Sequence, residues 1–266
     1  MHIKSLPGKW IHLRRTPPIL WWQFVNGWWR RGQKNVVPCA FKGAKKLLWS
    51  PLVDFYPTYE FFCETKAGCH EISFFLERLR APEVLYDIGA FRGAYSAAAT
   101  MKGGSQISVH IFEPLGKNVE AIRRLTRIND FSNFKINPLA VSDGVSAVGG
   151  LNDAMMLQLG NNAVSDKTAS FPATTVDEYI AAGNAPPSIL KIDVEGFELH
   201  VLRGAVKCLE QYRPRLWLEV HPGFLKAQNK CPEDVLQLLR KAGCAISFFD
   251  DFSSANQENP YHIWCE

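Results

Sequence analysis

Acidic residues are absent from the first 50 positions of the chain, which contain ten Lys or Arg and six of the eight tryptophans. All 26 acidic residues follow position 50, so the formal net charge of +4 combines a basic N-terminal segment with an acidic remainder. Long apolar runs are also absent, and no stretch approaches the ~20 residues that a membrane-spanning helix needs. Residues 1–5 begin no apolar run like that of a secretory signal peptide. We therefore expect a cytoplasmic protein, with peripheral membrane contact left open.

Cysteines are few and do not form a regular pattern. The seven cysteines are odd in number and irregularly spaced, which argues for reduced thiols rather than a disulfide framework. Cys63, Cys69 and His70 lie near one another, but their spacing is not that of a zinc knuckle. We assign no metal ligand there.

Residues 16–31 have the pattern of an amphipathic helix that begins at Thr16 and a pair of prolines. At 3.6 residues per turn, one face carries its apolar side chains, which are Trp21, Trp22, Phe24, Val25, Trp28 and Trp29. We favour packing of this face on the protein body, with contact with an anionic membrane surface as the alternative. Nucleic acid is not an expected partner, because no recognition motif accompanies the basic residues.

Residues 84–101 predict a strand, a tight turn and the start of a helix. An apolar run containing Asp87 leads to Gly89 and Gly93, and a helix-forming segment follows. Glycines let the backbone pass close to a ligand, while a helix N-terminus offers N–H groups to a carboxylate or phosphate. A second strand ends at Glu113, at a distance from the turn that suits an acid binding ribose hydroxyls.

Further acids follow the later predicted strands. The strands at 134–141, 188–193 and 216–221 place polar side chains at or near their ends, namely Asp143, Asp193, Glu195, Glu219 and His221. Ligands bind outside the carboxyl ends of strands in an open α/β sheet, so we expect these groups to share one edge. Residues 219 and 221 project to the same side of a strand, where the carboxylate could hold the imidazole as a base. We assign Glu198 instead to helix initiation.

Five strand–helix steps are followed by two strands joined without a helix, at 245–249 and 261–265. This order predicts an α/β fold with a mostly parallel seven-stranded sheet and a terminal antiparallel hairpin. We divide the chain into a basic, Trp-rich extension with a small irregular region at residues 1–69 and a main domain at residues 70–266.

Six segments of the main domain together resemble the FkbM family of S-adenosylmethionine-dependent methyltransferases. They are residues 87–96, 112–114, 139–143, 175–177, 190–198 and 218–221, and the Lys-Ile-Asp-Val-Glu-Gly block at 191–196 is specific. The resemblance implies a class I methyltransferase (Rossmann-like) fold and O-methylation of a hydroxyl of a sugar or secondary metabolite. Phe91 departs from the family, which commonly has Asn in the glycine turn.

The same resemblance implies roles for the strand-end residues. Asp87, Gly89 and Gly93 would form the methionine side of the cofactor site. Glu113 would accept from the ribose hydroxyls, and Asp143 would lie near the adenine amine. Candidates for the base or for acceptor binding are Asp193, Glu195, Glu219 and His221.

Several alternatives stay open at this point. The GxxxG spacing of the turn disfavours a dinucleotide, which would need closer glycines to approach its pyrophosphate. A divalent cation held by the acids and His221 is an alternative to a simple base, though not the one we favour. The expected acceptor is a small molecule or glycan. In a different functional class, the chain would be a catalytically idle methyltransferase-fold module that binds a membrane or a partner through its Trp-rich arm.

Overall fold

The computed structural model describes residues 36–39, 41, 48–51, 62, 65–144, 148–149, 170–249 and 259–266. The amphipathic helix predicted at 16–31 and most of the segment between 145 and 169 lie outside these residues. None of the helices in the described ranges is long and apolar enough to cross a bilayer.

The strands and helices are numbered in chain order. The strands are β1 (Val36–Cys39), β2 (Leu48–Pro51), β3 (Glu83–Ile88), β4 (Ile107–Phe112), β5 (Phe134–Asn137), β6 (Ala140–Val141), β7 (Val148–Gly149), β8 (Ser170–Phe171), β9 (Ala173–Thr174), β10 (Ile189–Ile192), β11 (Arg215–Val220), β12 (Ile246–Phe248) and β13 (Tyr261–Cys265). The helices are α1 (Lys66–Arg78), α2 (Ala94–Gly103), α3 (Gly116–Asn129), α4 (Val176–Ala181), α5 (Glu198–Arg203), α6 (Val206–Tyr212), α7 (Pro222–Ala227) and α8 (Pro232–Lys241).

Seven strands form the central sheet, in the order β12-β13-β11-β10-β3-β4-β5. The run from β11 to β5 is parallel, whereas β13 is antiparallel to both of its neighbours. This confirms the predicted α/β fold of the class I methyltransferases. The closing hairpin is present, but its second strand inserts between β11 and β12. This insertion brings β13 beside the strand that carries Glu219.

Two apolar clusters cover the two faces of the sheet. Helices α1, α2 and α3 contribute to the first cluster, together with Trp217 and Trp264 from the sheet. Helices α4, α5, α6, α7 and α8 contribute to the second, together with Tyr86 and Leu218. Successive strand residues alternate between the clusters, as a pleated sheet requires. The side chains of residues 87, 191, 219 and 262 therefore share the face that α1 and α2 cover.

The region before residue 65 contributes a small antiparallel pair, β1 and β2. Buried Leu48 of β2 belongs to the same apolar cluster as α1 and α2. The dividing point proposed between residues 69 and 70 falls within α1, which Thr65 caps by accepting a hydrogen bond from the Gly68 N–H at 3.0 Å.

Two elements differ in extent from their predictions. The strand predicted at 134–141 ends at Asn137, and residues 140–141 form β6, which pairs with β9 outside the main sheet. The helix expected to begin at Glu198 divides into α5 and α6 around Gly204, where a Cβ would lie 2.0 Å from the Ser142 carbonyl oxygen. Close approach of the β6 loop therefore decides where α5 ends.

The expectation that the thiols are all reduced does not agree with the structure. Cys244 and Cys265 are joined by a disulfide, with Cα atoms 5.6 Å apart. The bond links the end of β13 to the segment that precedes β12. Irregular spacing concealed this pair, because the two residues meet only through the antiparallel register of β12 and β13.

Candidate active site

The glycine turn after β3 lies against the loop that follows β10. Gly89 has a φ of +73°, and a Cβ on it would lie 1.8 Å from the Asp193 carbonyl oxygen. The N–H groups of Gly89 and Ala90 both donate to the Phe112 carbonyl, at 3.0 and 3.2 Å. Gly93, with a φ of +77°, caps α2. The turn is therefore held from both sides, and only glycine fits the position that touches Asp193.

Glu113 is held in a fixed position at the end of β4. The Phe91 and Leu115 N–H groups donate to its two oxygens at 2.8 and 2.9 Å, and Asn118 Nδ2 adds a third hydrogen bond at 3.2 Å. Burial raises the pKa of Glu113 to about 7, although these three donors act to lower it. Each carboxylate oxygen can accept more than one hydrogen bond, so the group can still receive a hydroxyl.

Asp87 lies beneath the turn rather than on its surface. Its side chain is fully buried, accepts a hydrogen bond from Ser96 Oγ at 2.6 Å, and lies 3.4 Å from Lys191 Nζ. Lys191 also donates to the Gly89 carbonyl at 2.9 Å. Asp87 therefore also fixes the turn through Lys191 and Ser96, and its contact with the cofactor stays a prediction.

The sheet register gathers the remaining acids into one cluster. Lys191 is opposite Asp87 on β3, and Glu219 is opposite His262 on β13. One residue beyond the β10 ladder, Asp193 donates its backbone N–H to Ile88 at 3.1 Å. Residues 193, 219 and 262 therefore follow one another across the sheet, beside the glycine turn. The predicted groups Asp193, Glu195, Glu219 and His221 do come together.

His221 is at the centre of this cluster. Its Nε2 lies 3.2 Å from Glu195, 3.6 Å from Glu219 and 3.9 Å from Asp193. Its Nδ1 is 2.7 Å from Glu198. Burial lowers the pKa of His221, but the Glu198 hydrogen bond and the surrounding carboxylates outweigh it and raise the pKa to about 9.

The carboxylates around His221 are electrostatically different from one another. Burial raises the pKa of Glu195 to about 7 against the attraction of His221. Burial would also raise the pKa of Glu219, but the hydrogen bond and charge of His262, with the charges of His221 and Lys191, lower it to about 2. Glu195 has a φ of +50°, which is a strained conformation for a residue other than glycine. Its Oε2 is buried and accepts no hydrogen bond.

Glu198 was assigned to helix initiation alone, and that assignment is incomplete. It does begin α5, but its side chain is fully buried, and Oε1 accepts from the Gly196 N–H at 2.9 Å as well as contacting His221. The interpretation of Glu219 as the group that orients the imidazole is also changed, since Glu219 faces Nε2 and Glu198 holds Nδ1. The feature of the sequence that could have indicated this role is the position of Glu198, three residues after Glu195.

Sequence reasoning also missed a set of interacting side chains on α1, α2, β11 and β13, which are Glu71, Tyr95, Trp217 and His262. His262 Nε2 lies 3.5 Å from Glu219 and 3.4 Å from Glu71. Glu71 accepts a hydrogen bond from Tyr95, whose oxygen accepts from Trp217 Nε1 at 3.0 Å. His262 stacks on the Trp217 ring at 4.7 Å. No local pattern marks these residues, because α1 and β13 are 190 positions apart along the chain.

Asp143 lies at a different place from the other predicted cofactor residues. It follows β6, outside the main sheet, and its Oδ2 is 2.7 Å from His200 Nδ1 on α5. Although burial acts in the opposite direction, the hydrogen bond and charge of His200 lower the pKa of Asp143. Its side chain is 40% exposed and remains open to a ligand.

The chain matches known methyltransferases. A family model described as the methyltransferase FkbM domain matches residues 87–244. Hexuronic acid methyltransferase AglP from Haloferax volcanii is 29% identical over 176 residues, which are 64% of this chain and 67% of that protein.

Similar solved structures include methyltransferase FkbM from Methylobacillus flagellatus KT, with 18% identity and a TM-score of 0.49. That match covers 71% of this chain and 45% of the other, so the chain spans less than half of that structure. Precorrin-6y C5,15-methyltransferase from Geobacter metallireducens GS-15 is 12% identical, with a TM-score of 0.45, over 76% of this chain and 88% of the other.

The family match contains the glycine turn, Glu113, Asp143 and the carboxylate cluster around His221, and it covers more than half of the chain. The chain therefore belongs to the FkbM family of methyltransferases.

Proposed function

We propose that this protein is an S-adenosylmethionine-dependent O-methyltransferase that acts on a hydroxyl of a sugar or glycan. The observation that carries the proposal is the contact between the glycine turn and the loop that bears Asp193 and Glu195. It sets the turn that we assign to the nucleoside and a group of proton acceptors side by side. Methyl transfer to oxygen needs both, because the acceptor oxygen must be aligned with the methyl group and lose its proton.

The residues of the turn fit the cofactor. Gly89 and Gly93 allow the left-handed backbone that the turn needs, and the first N–H groups of α2 lack partners within the helix and suit the methionine carboxylate. Glu113 keeps lone pairs for two ribose hydroxyls, while Asp143 is available for the adenine amine. Bound there, S-adenosylmethionine supplies an electrophilic methyl group on a sulfonium.

The carboxylate cluster fits a hydroxyl-rich acceptor, whose hydroxyl hydrogens donate to carboxylate oxygens. We assign Glu195 as the base because its pKa is raised to about 7, so that it can take the proton of the acceptor hydroxyl near neutral pH, and because its side chain is 19% exposed within the cluster. Asp193 and Glu219, with side chains 28% and 23% exposed, bind the acceptor. Glu198 fixes His221 behind them. The hexuronic acid named for the Haloferax volcanii relative supports a sugar as the acceptor class.

The test combines binding with transfer. Calorimetry should show one S-adenosylmethionine bound per chain, weakened at least tenfold by Glu113→Ala, and labelled methyl should reach a member of a panel of neutral glycans, uronic acids and polyols. Glu195→Gln should lower kcat by about 10²-fold or more with cofactor affinity unchanged. Glu210→Gln, an exposed acid on α6, is the matched control.

Failure of S-adenosylmethionine and S-adenosylhomocysteine to bind would remove the proposal. Cofactor binding without transfer to any acceptor, together with binding to vesicles, would instead favour the catalytically idle module.

A further inference from the structure

The geometry around His221 has the dimensions of a metal site. One ligand atom each of Asp193, Glu219 and His221 lie within 4.8 Å of one another. Ligands that share one octahedral cation at about 2.1 Å are roughly 3 Å apart in neighbouring positions and 4.2 Å apart in opposite ones. The separations of 3.6 and 3.9 Å from His221 Nε2 to Glu219 and Asp193 lie between these two values, so small side-chain shifts would let the three atoms share one ion.

The second observation is the way in which His221 is held. Glu198 is fully buried and contacts Nδ1 at 2.7 Å, so Nδ1–H donates to it, and a metal-bound neutral imidazole would direct its Nε2 lone pair at the carboxylates. A metal-bound imidazole almost always donates its other N–H to a carboxylate, carbonyl or water in this manner. The arrangement therefore provides the second shell of a metal site as well as its ligands.

The third observation is the charge balance of the cluster. Six acids lie in it, namely Glu71, Asp87, Asp193, Glu195, Glu198 and Glu219, and their recorded cationic partners are Lys191, His221 and His262. Within the part of the chain that the structure describes, the carboxyl groups of the cluster thus outnumber its cationic groups. Negative charge withdrawn from water is costly unless it is paired. A divalent cation would compensate it.

Lys191 leaves room for such an ion. Its ammonium group is 3.3 Å from Asp193 Oδ2 and 2.9 Å from the Gly89 carbonyl. The oxygen of Asp193 that approaches His221 is the other one, Oδ1. Lysine and cation would thus use different oxygens of the same carboxylate.

We infer that Asp193, Glu219 and His221 bind one divalent cation of the Mn²⁺ or Mg²⁺ class, and that the acceptor oxygen binds to this ion. Two carboxylates and one imidazole form a donor set dominated by hard oxygen atoms, which suits these ions. The role toward the acceptor rests on the proposed methyltransferase function, whereas the ion site itself does not. Glu195 stays outside the ligand set and remains available for the acceptor proton.

The site can be tested on the full chain with Mn²⁺ alone. Electron paramagnetic resonance of a MnCl₂ titration should show one bound ion per chain. Asp193→Asn and Glu219→Gln should each weaken binding at least tenfold, and Glu198→Gln should weaken it by about 10–100-fold, as expected of a positioning residue. Glu210→Gln should leave it unchanged. Affinity for S-adenosylhomocysteine, measured on each variant, reports whether the fold is intact.

Absence of bound Mn²⁺ at millimolar concentration in the intact chain would overturn the inference, as would unchanged affinity in folded Asp193→Asn and Glu219→Gln. Methyl transfer that survives chelation with EDTA would overturn the acceptor role. These results leave cofactor binding untouched, so they are distinguishable from failure of the proposed function. Bound Mn²⁺ in a chain that does not bind S-adenosylmethionine would support the ion site and remove the function.

Discussion

At the scale of single residues, the glycine turn contains a bulky side chain at a position with a left-handed backbone. Phe91 has a φ of +51° and is 39% exposed, with Arg92 5.1 Å from its ring centroid. The left-handed region costs a bulky residue roughly 1–2 kcal/mol, and Asn tolerates it better. An exposed cation–π contact offsets about 0.5 kcal/mol of this cost.

Phe91→Asn should therefore raise the free energy of unfolding by about 0.5–1 kcal/mol, measured by urea denaturation. Phe248→Asn is the matched control, because Phe248 is equally exposed but lies in a strand. If Phe91→Asn lowered the free energy of unfolding as much as Phe248→Asn does, the substitution would have relieved no backbone strain at position 91.

We predict that Glu113 makes cofactor binding depend on pH. Its pKa in the folded chain is raised to about 7 from 4.5, so the carboxyl costs folded-state stability as pH rises from 4.5 to 7, and this penalty is absent below pH 4.5. Ribose hydroxyls donate to the ionised form. Affinity for S-adenosylmethionine should thus increase roughly tenfold from pH 6 to pH 8. Calorimetry across this range measures it, and Glu113→Gln, which does not titrate, should bind with a flat profile.

At the scale of elements, the glycine turn after β3 packs against the loop after β10, and this contact joins the two parts of the candidate site. Gly89→Ala would add a Cβ 1.8 Å from the Asp193 carbonyl in a left-handed backbone. We expect a loss of roughly 2–4 kcal/mol of unfolding free energy and of measurable cofactor binding. Thermal melting and calorimetry test both.

Gly116→Ala provides the control for this substitution. Nothing lies within 4 Å of the position that its Cβ would occupy, and the residue begins α3. It should be neutral or stabilising by up to about 1 kcal/mol, because alanine favours a helix. Equal effects at 89 and 116 would contradict close packing of the turn.

At the scale of the whole molecule, membrane contact through the basic, Trp-rich arm is the alternative to packing of the arm on the protein body. The first 50 residues contain no acid, so on this alternative residues 16–31 would be attracted to anionic lipid. The intact chain should sediment with phosphatidylserine-containing vesicles, and deletion of residues 1–35 should abolish this. Affinity for S-adenosylmethionine should survive the deletion, and vesicles of phosphatidylcholine alone are the control. An intact chain that remains in the supernatant would exclude membrane contact.

Much of the fold and about half of the site could be predicted from the sequence. The apolar strands, the glycine turn and the acids at strand ends are local patterns, because a parallel strand must be apolar and a ligand-binding loop must follow its carboxyl end. Asp193, Glu195, Glu219 and His221 were recognised in this way. The sequence by itself thus determined the α/β class and indicated, at one edge of the sheet, these four residues of the candidate site.

Only the tertiary structure decided how those residues are paired. Insertion of β13 between β11 and β12 sets His262 opposite Glu219 and joins Cys244 to Cys265. Packing of α1 on the same face adds Glu71, and the start of α5 directs Glu198 at His221 rather than into solvent. These contacts join segments up to 190 residues apart, and their register depends on which faces of distant elements are buried together. The local hydrophobic periodicity of the sequence does not specify which faces of distant elements pack together. The chemistry of the cluster could therefore be recognised only in the folded chain.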